Sequence, residues 1–245
     1  MDAKNCISYW FPRLAESGVP VPKTHILHAP GYLDLLLDHK LYAGNLGFEQ
    51  LIMAAAANVG FPAFMRLGHA SAKHSWREGC VLTDHMPSLR RTLFRAVEDS
   101  AIKMLPTDVV AVRQMLILAP MFTAFMGELP ISREFRVFFN KDGIYHMQPY
   151  WPPGAIHDQN PSEKDWERRL LGASVLDDDE YKVVCKTVQS AARNFDGAWS
   201  IDLICSARGT WWVTDMAVAS QSFHYAAGFP VHPDAPVSAT AGGNS

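Results

Sequence analysis

The four cysteines of this chain, Cys6, Cys80, Cys185 and Cys205, stand far apart and none shares a CxxC spacing. That argues against a zinc-ribbon or dithiol redox site and predicts reduced thiols packed in the core of a cytoplasmic protein. Charge is scarce too. Charged residues make up 19% of the 245 positions and the formal net charge is -3. No basic field is available to attract nucleic acid, so any polyanion must be held by a local site. No apolar run reaches membrane-spanning length, and the start MDAKNCISYW lacks a basic segment followed by an apolar one. Neither a membrane partner nor a signal peptide is therefore expected. No internal repeat is visible. What the chain does have is 48% apolar residues, enough for one large domain or two small lobes with a proper core.

The stretch with the most chemistry is AWSIDLICSARGTWWVTDMA, Ala198 to Ala217. It reads as two apolar strands, WSIDLIC and TWWVTDM, joined by a turn in which Gly209 can take a positive φ. An even-length loop centred on Arg208-Gly209 places Asp202 directly opposite Asp215, with Cβ atoms roughly 5 Å apart on one face. Two facing carboxylates are unfavourable unless one is protonated or a cation lies between them. Hard oxygen donors without His or Cys suit Mg²⁺. The competing account is two unrelated aspartates at strand ends.

The rest of the chain alternates helices and strands. Ile7, Trp10, Phe11 and Leu14 predict an opening helix stopped at Gly18, and VPVPKTHIL an extended segment with a strand over Thr24 to Leu27. The leucine-rich Tyr32 to Lys40 and a helix in FEQLIMAAAANVG, ended by Gly60, come next. FPAFMRLGHASAKHSW then reads as a strand entering a loop of small and polar residues that returns through Gly79 to Thr83, the pattern of a flap. MPSLRRTLFRAVEDSAIK predicts a helix with Pro87 in its first turn, and DVVAVRQMLIL a strand buried on both faces. Ala119 to Pro130 reads as loop.

REFRVFFNKDGIYHMQPYW reads as a hairpin turning at Asp142-Gly143, with Glu134, Arg136 and Phe138 on one face and Phe135, Val137 and Phe139 toward the core. For Arg133 a surface salt bridge is the strong reading. Ser162 to Leu171 and Asp177 to Asn194 predict helices, the second opening on Asp177, Asp178 and Asp179. Residues beyond Gly228 carry no core pattern and predict a flexible tail.

Helix, GFPAFMR, small-residue loop, strand, helix, VVAVRQMLIL, EFRVFF and a paired-carboxylate hairpin follow one another in an order that resembles the ATP-grasp superfamily. AESGVPVPKTHIL resembles the segment those proteins place before their nucleotide-binding lobes, and REFRVFF resembles the EFR signature of some divergent branches. The resemblance covers Glu16 to Ala217. It implies an α+β fold of two lobes gripping a nucleotide, with a reduced N-terminal region at 1–47, a flap-bearing lobe at 48–118, a C-terminal lobe with the metal hairpin at 119–228, and a tail at 229–245.

The resemblance also implies roles. Arg66 takes the position of the usual strand lysine that neutralises ATP phosphates. Ser71 and Lys73, in a flap with a single glycine at Gly68, supply side-chain donors, and Gln114, Met115 and Leu116 form the adenine hinge. Glu134 and Arg136 face the nucleotide or acceptor. Asp202 and Asp215 are the metal carboxylates, but Ala217 stands where the family has a ligating asparagine. The activity implied is ATP-dependent ligation, in which a small-molecule or peptide carboxylate is phosphorylated by Mg-ATP and an amine or thiol displaces phosphate, with Arg66, Lys73 and Arg136 assisting the transfer. The alternative is a nucleotide-binding module or subunit without turnover, completed by a partner protein or a second copy of the chain. Tyr150, Trp151, Ser222 and His224 either line an acceptor pocket or cap the core. A lysyl-adenylate ligase, suggested by Lys141-Asp142-Gly143, fails because the lysine is one position too close to the aspartate.

Overall fold

The computed structural model describes residues 2–29, 33–37, 44–224 and 231–236. The chain divides into two compact units, one of residues 1–9 and 22–116, the other of residues 10–21 and 117–245.

Helix α1 (Ile7–Glu16) buries the predicted face of Ile7, Trp10, Phe11 and Leu14, with its first three residues counted in the first unit. That unit continues with β1 (Thr24–His28), α2 (Asp34–Leu37), α3 (Gly44–Val59), β2 (Ala63–Leu67), α4 (Trp76–Gly79), β3 (Val81–Leu82), α5 (Met86–Ile102) and β4 (Val109–Gln114). Its antiparallel sheet runs β1-β4-β2-β3. Because β4 lies between two neighbours, Val109 to Val112 are all buried, as their unbroken apolar run predicts. Leu89, Leu93, Ala96 and Val97 of α5 and Ile52, Ala55 and Ala56 of α3 join Met65, Leu67, Val110 and Val112 in one apolar cluster. The buried Glu49 of α3 accepts three hydrogen bonds from Arg90 of α5, at 3.0 and 3.1 Å. An apolar stripe and one forked ion pair thus fix two helices together.

In the second unit come β5 (Phe122–Ala124), β6 (Leu129–Ile131), β7 (Glu134–Asn140), β8 (Gly143–Pro149), α6 (Pro153–Ile156), α7 (Trp166–Ala173), α8 (Asp178–Ala192), β9 (Trp199–Cys205) and β10 (Trp211–Val218). The main sheet runs β10-β9-β7-β8, antiparallel throughout. One face is apolar. Phe135, Val137, Phe139, Trp199, Ile201, Leu203, Met147, Val213 and Met216 are each under 4% exposed. Helix α8 packs against β7 and β8 and contributes the buried Val184, Val188 and Ala191. Its start is held by a capping box: the Asp177 carboxylate accepts from the backbone of Asp179 and Glu180, and Glu180 reaches back to the Asp177 N–H.

Three expectations change. Ala119 to Pro130 is not simply loop, because β5 and β6 pair as a small hairpin; its turn uses Phe125 and Met126 at positive φ, which no Asn-Gly signal announces. The β7–β8 turn is Lys141-Asp142, with Gly143 already paired to Asn140. Part of the expected tail is anchored: Val231 and His232 are buried, Leu176 donates to the Val231 carbonyl, and the His232 ring stacks on Tyr181 at 4.1 Å. Aromatic stacking and one apolar side chain hold a segment whose composition shows no periodicity. Tyr225 and most of the remaining tail lie outside the described residues.

Candidate functional site

The other face of the β7–β10 sheet is polar. Register alone sets its central row: Gln148 of β8 is opposite Arg136 of β7, which is opposite Asp202 of β9, which is opposite Asp215 of β10. Arg136 and Asp202 form a forked ion pair, Nε to Oδ1 at 2.7 Å and Nη2 to Oδ2 at 2.8 Å. Only 16% of the Arg136 side chain and 4% of that of Asp202 are exposed. The guanidinium also lies over the Tyr150 ring, 4.7 Å from its centre, so two contacts fix its plane. Burial alone would favour loss of the proton. The Asp202 charge, its hydrogen bonds, Tyr150 and Asp215 outweigh it and raise Arg136 above its already high ordinary value.

Both hairpins reach this row through a bulge. The β9–β10 loop is Ser206–Thr210, not a two-residue turn, and Cys205 pairs with Trp211. In that register Asp202 would face Thr214. An extra residue between Val213 and Asp215 shifts the pairing, and the predicted Asp202–Asp215 opposition is recovered. In β8 the shift falls between Ile144 and His146 and brings Gln148, not Met147, opposite Arg136.

Further along the same face Ser200 approaches Ser222, hydroxyl to hydroxyl at 2.5 Å. His146, buried, meets Gln148 at 3.1 Å through Nε2, and its ring lies 4.1 Å from that of His224. Gln148 donates to the Phe223 carbonyl at 3.1 Å. Burial, and secondarily His224, push the His146 imidazole below its usual range against the pull of Gln148. Ser222 and His224 therefore lie over the polar face, where His224 also meets the buried Phe138 at 5.0 Å. Trp151 goes elsewhere, packing on Phe125 at 5.7 Å. Sequence reading missed Gln148, His146 and Ser200. Ser200 shares the strand parity of Asp202 and could have been found, but the bulge hides the other two.

Glu134 is buried on this face and its carbonyl accepts from the Tyr150 N–H. Arg133 is paired as expected, its guanidinium donating to both oxygens of Glu180 at 2.5 and 2.8 Å.

In the first unit, Arg66 sits buried in β2 opposite Ala111, and its Nε donates to the Leu67 carbonyl at 3.2 Å. The flap strands form as predicted, Ala63 pairing with Leu82 and Phe64 with Val81. The connection between them is not an open loop, however. Lys73–Ser75 is a 3-10 turn, α4 follows it, and Trp76 packs on Phe64 at 5.6 Å. Alanines and an aromatic residue, in place of glycines, favour helix here. Ser71 and Lys73 are half-buried at the start of this turn. Burial pushes the Cys80 thiol up to about 12, with Lys73 and Arg66 pulling the other way, so the thiol is an inert core group. Strand β4 ends at Gln114, whose N–H donates to the Lys23 carbonyl at 2.8 Å. Of the three hinge residues, Met115 and Leu116 are those outside the ladder, and the unit boundary follows Leu116.

Does the row suit a divalent metal? Mg²⁺ takes six oxygen ligands in near-octahedral geometry. Both oxygens of Asp202 already accept from Arg136, which supplies the positive charge that the facing carboxylates demand. Among the described residues no three of His, Cys, Asp and Glu gather where they could hold an ion. The donor set does not fit a metal held by the protein itself.

No family model matches the sequence, and no curated protein does. Solved structures do match. Cdc123 from Schizosaccharomyces pombe aligns at a TM-score of 0.57 and 13% identity, over 88% of this chain and 84% of that one. A RimK domain ATP-grasp protein from Sphaerobacter thermophilus aligns at 0.47 and 13%, over 87% and 58%. D-alanine–D-alanine ligase from Bacillus anthracis, complexed with ATP, aligns at 0.44 and 11%, over 87% and 53%. The fold is like that of Cdc123. At such identities the likeness speaks to the α+β fold alone; the Cdc123 match carries it and the two lower-scoring ones add nothing.

Proposed function

We propose that this chain binds an adenine nucleotide, ATP or ADP, with its phosphates toward the polar face of the β7–β10 sheet. The observation that supports this reading is the row Gln148, Arg136, Asp202, Asp215. Burying an ion pair and an amide in a sheet stabilises a fold less than apolar packing would, so such a row is most economically explained by a ligand that uses it. Arg136, rigidly aimed by Asp202 and Tyr150, is the phosphate partner. A planar guanidinium keeps donors beyond the two given to Asp202, and these suit phosphoryl or carboxylate oxygens. Tyr150 and Gln148 flank it.

A second reading adds turnover: ATP-dependent joining of a carboxylate to an amine or thiol. Arg136 favours it, since a fixed guanidinium can stabilise charge on a transferring phosphoryl group. The helical, glycine-poor flap connection and Ala217 favour binding without ligation. Calorimetric titration of the full chain with ATP, ADP and GTP tests the first reading. Saturable binding of the adenine nucleotides is expected, and none at millimolar ATP would reject it. Phosphate release that depends on an added carboxylate would establish the second.

A further inference from the structure

We propose that Arg136 is a tethered cation that closes the Asp202–Asp215 pair to divalent metal in the nucleotide-free protein. The inference concerns the face on which the nucleotide reading rests, but does not need the nucleotide. Two carboxylates placed opposite each other on neighbouring strands call for a positive charge beside them. Arg136 occupies that role from the opposite side of Asp202, and its fork engages both oxygens at 2.7 and 2.8 Å. Little of either side chain is exposed, so water screens the pair weakly. The Tyr150 ring, 4.7 Å from the guanidinium carbon, resists rotation of the fork away from the carboxylate.

A divalent ion that took Asp202 as ligand would have to expel the guanidinium from this contact or sit beside its charge. Either course weakens binding strongly. Asp215, half-buried on β10 with one oxygen accepting from the Met216 N–H, would then lack Asp202 as a fellow ligand. In the nucleotide-free protein the counter-charge of this face is therefore a side chain of the sheet itself.

Mn²⁺ titration of the full chain, followed by electron paramagnetic resonance with no nucleotide present, tests this. The wild type should bind Mn²⁺ no more tightly than exposed carboxylates do. Arg136→Gln, which frees Asp202 and keeps a neutral hydrogen-bonding side chain, should bind one Mn²⁺ about tenfold or more tightly, a gain corresponding to the loss of one competing ion pair. Asp215→Asn in that background should abolish the gain. Stoichiometric, tight Mn²⁺ binding by the wild type that Asp202→Asn removes would overturn the proposal, and so would a folded Arg136→Gln chain with unchanged Mn²⁺ affinity. If Arg136→Gln does not fold, the wild-type titration with and without Asp202→Asn decides the question by itself. Failure of ATP to bind would reject the nucleotide reading and leave this result intact.

Discussion

Arg136 and Asp202 face each other on adjacent strands and share two hydrogen bonds, so each is the other's counter-charge in a nearly closed environment. Asp202→Asn leaves a buried guanidinium with a neutral partner. A loss of about 3–5 kcal/mol is expected, against far less for the double replacement Arg136→Met, Asp202→Leu. Urea unfolding of the three chains measures it. Additive losses in the double variant would mean that the pair does not exist.

Asp215→Asn should behave differently. The residue is half-buried and its oxygen receives a backbone N–H, a bond that an amide oxygen can keep. Stability should change by no more than about 1 kcal/mol. Nucleotide affinity should rise slightly or stay level, because one negative charge leaves a phosphate-facing row; a tenfold fall would restore Asp215 to the role of metal ligand.

His146 sets a pH dependence. Its imidazole is held below the usual range by burial and then by His224, so the folded protein prefers it neutral. The unfolded chain binds the proton first as pH drops below about 6.5. Stability from this group is thus complete above about pH 6.5 and is lost as pH falls toward the lower folded value. Melting temperature followed from about pH 7.5 to 5.5 should decline less steeply in His146→Gln than in the wild type. His69 and His74, also lowered by burial, leave a residual slope in both proteins. Parallel profiles would place the His146 ring in water.

Bulges explain what the sequence could and could not disclose. Helices α1, α3, α5 and α8 and strands β1, β4, β7 and β9 follow from apolar periodicity and capping residues, which are local properties. The Asp202–Asp215 opposition was reached for a reason only half right: the loop is longer than a tight turn, and the shift at Thr214 compensates. Gln148 opposite Arg136 was out of reach, since a Lys141-Asp142 turn without a bulge pairs Arg136 with Met147. One inserted residue reverses which side of a strand faces the site, and no local composition marks it. The Arg136–Asp202 pair was hidden for a different reason. It joins residues from separate hairpins, so only the β7–β9 ladder reveals that the cation sought beside Asp202 is already in the chain.

Gln148 ties the bulged strand to the segment above it. Gln148→Leu removes the donor to the Phe223 carbonyl and the partner of His146 Nε2. A destabilisation of about 1–3 kcal/mol is expected from the two unsatisfied groups. Amide exchange should accelerate at Ser222 to His224 before it does so in β9. Uniform acceleration across the sheet would show that the amide supports the strands and not the covering segment.

Gly68 is the flap's one glycine, and its geometry indicates packing as its purpose. Its N–H donates to the Val109 carbonyl at 2.9 Å and its own carbonyl accepts from Ile7 at 2.8 Å, so the backbone is pinned on both sides. A Cβ there would lie 2.7 Å from Cys6 Sγ and 3.0 Å from Val109 Cβ. The valine atom cannot yield without moving β4. Gly68→Ala should therefore cost about 1–3 kcal/mol, and adding Cys6→Ala should return only part of it, because the Val109 contact persists. Nucleotide affinity per folded molecule should be unchanged. A stable Gly68→Ala chain with weakened ATP binding would reverse the assignment, since the glycine would then be serving close backbone approach to phosphate and not the fit between Cys6 and Val109.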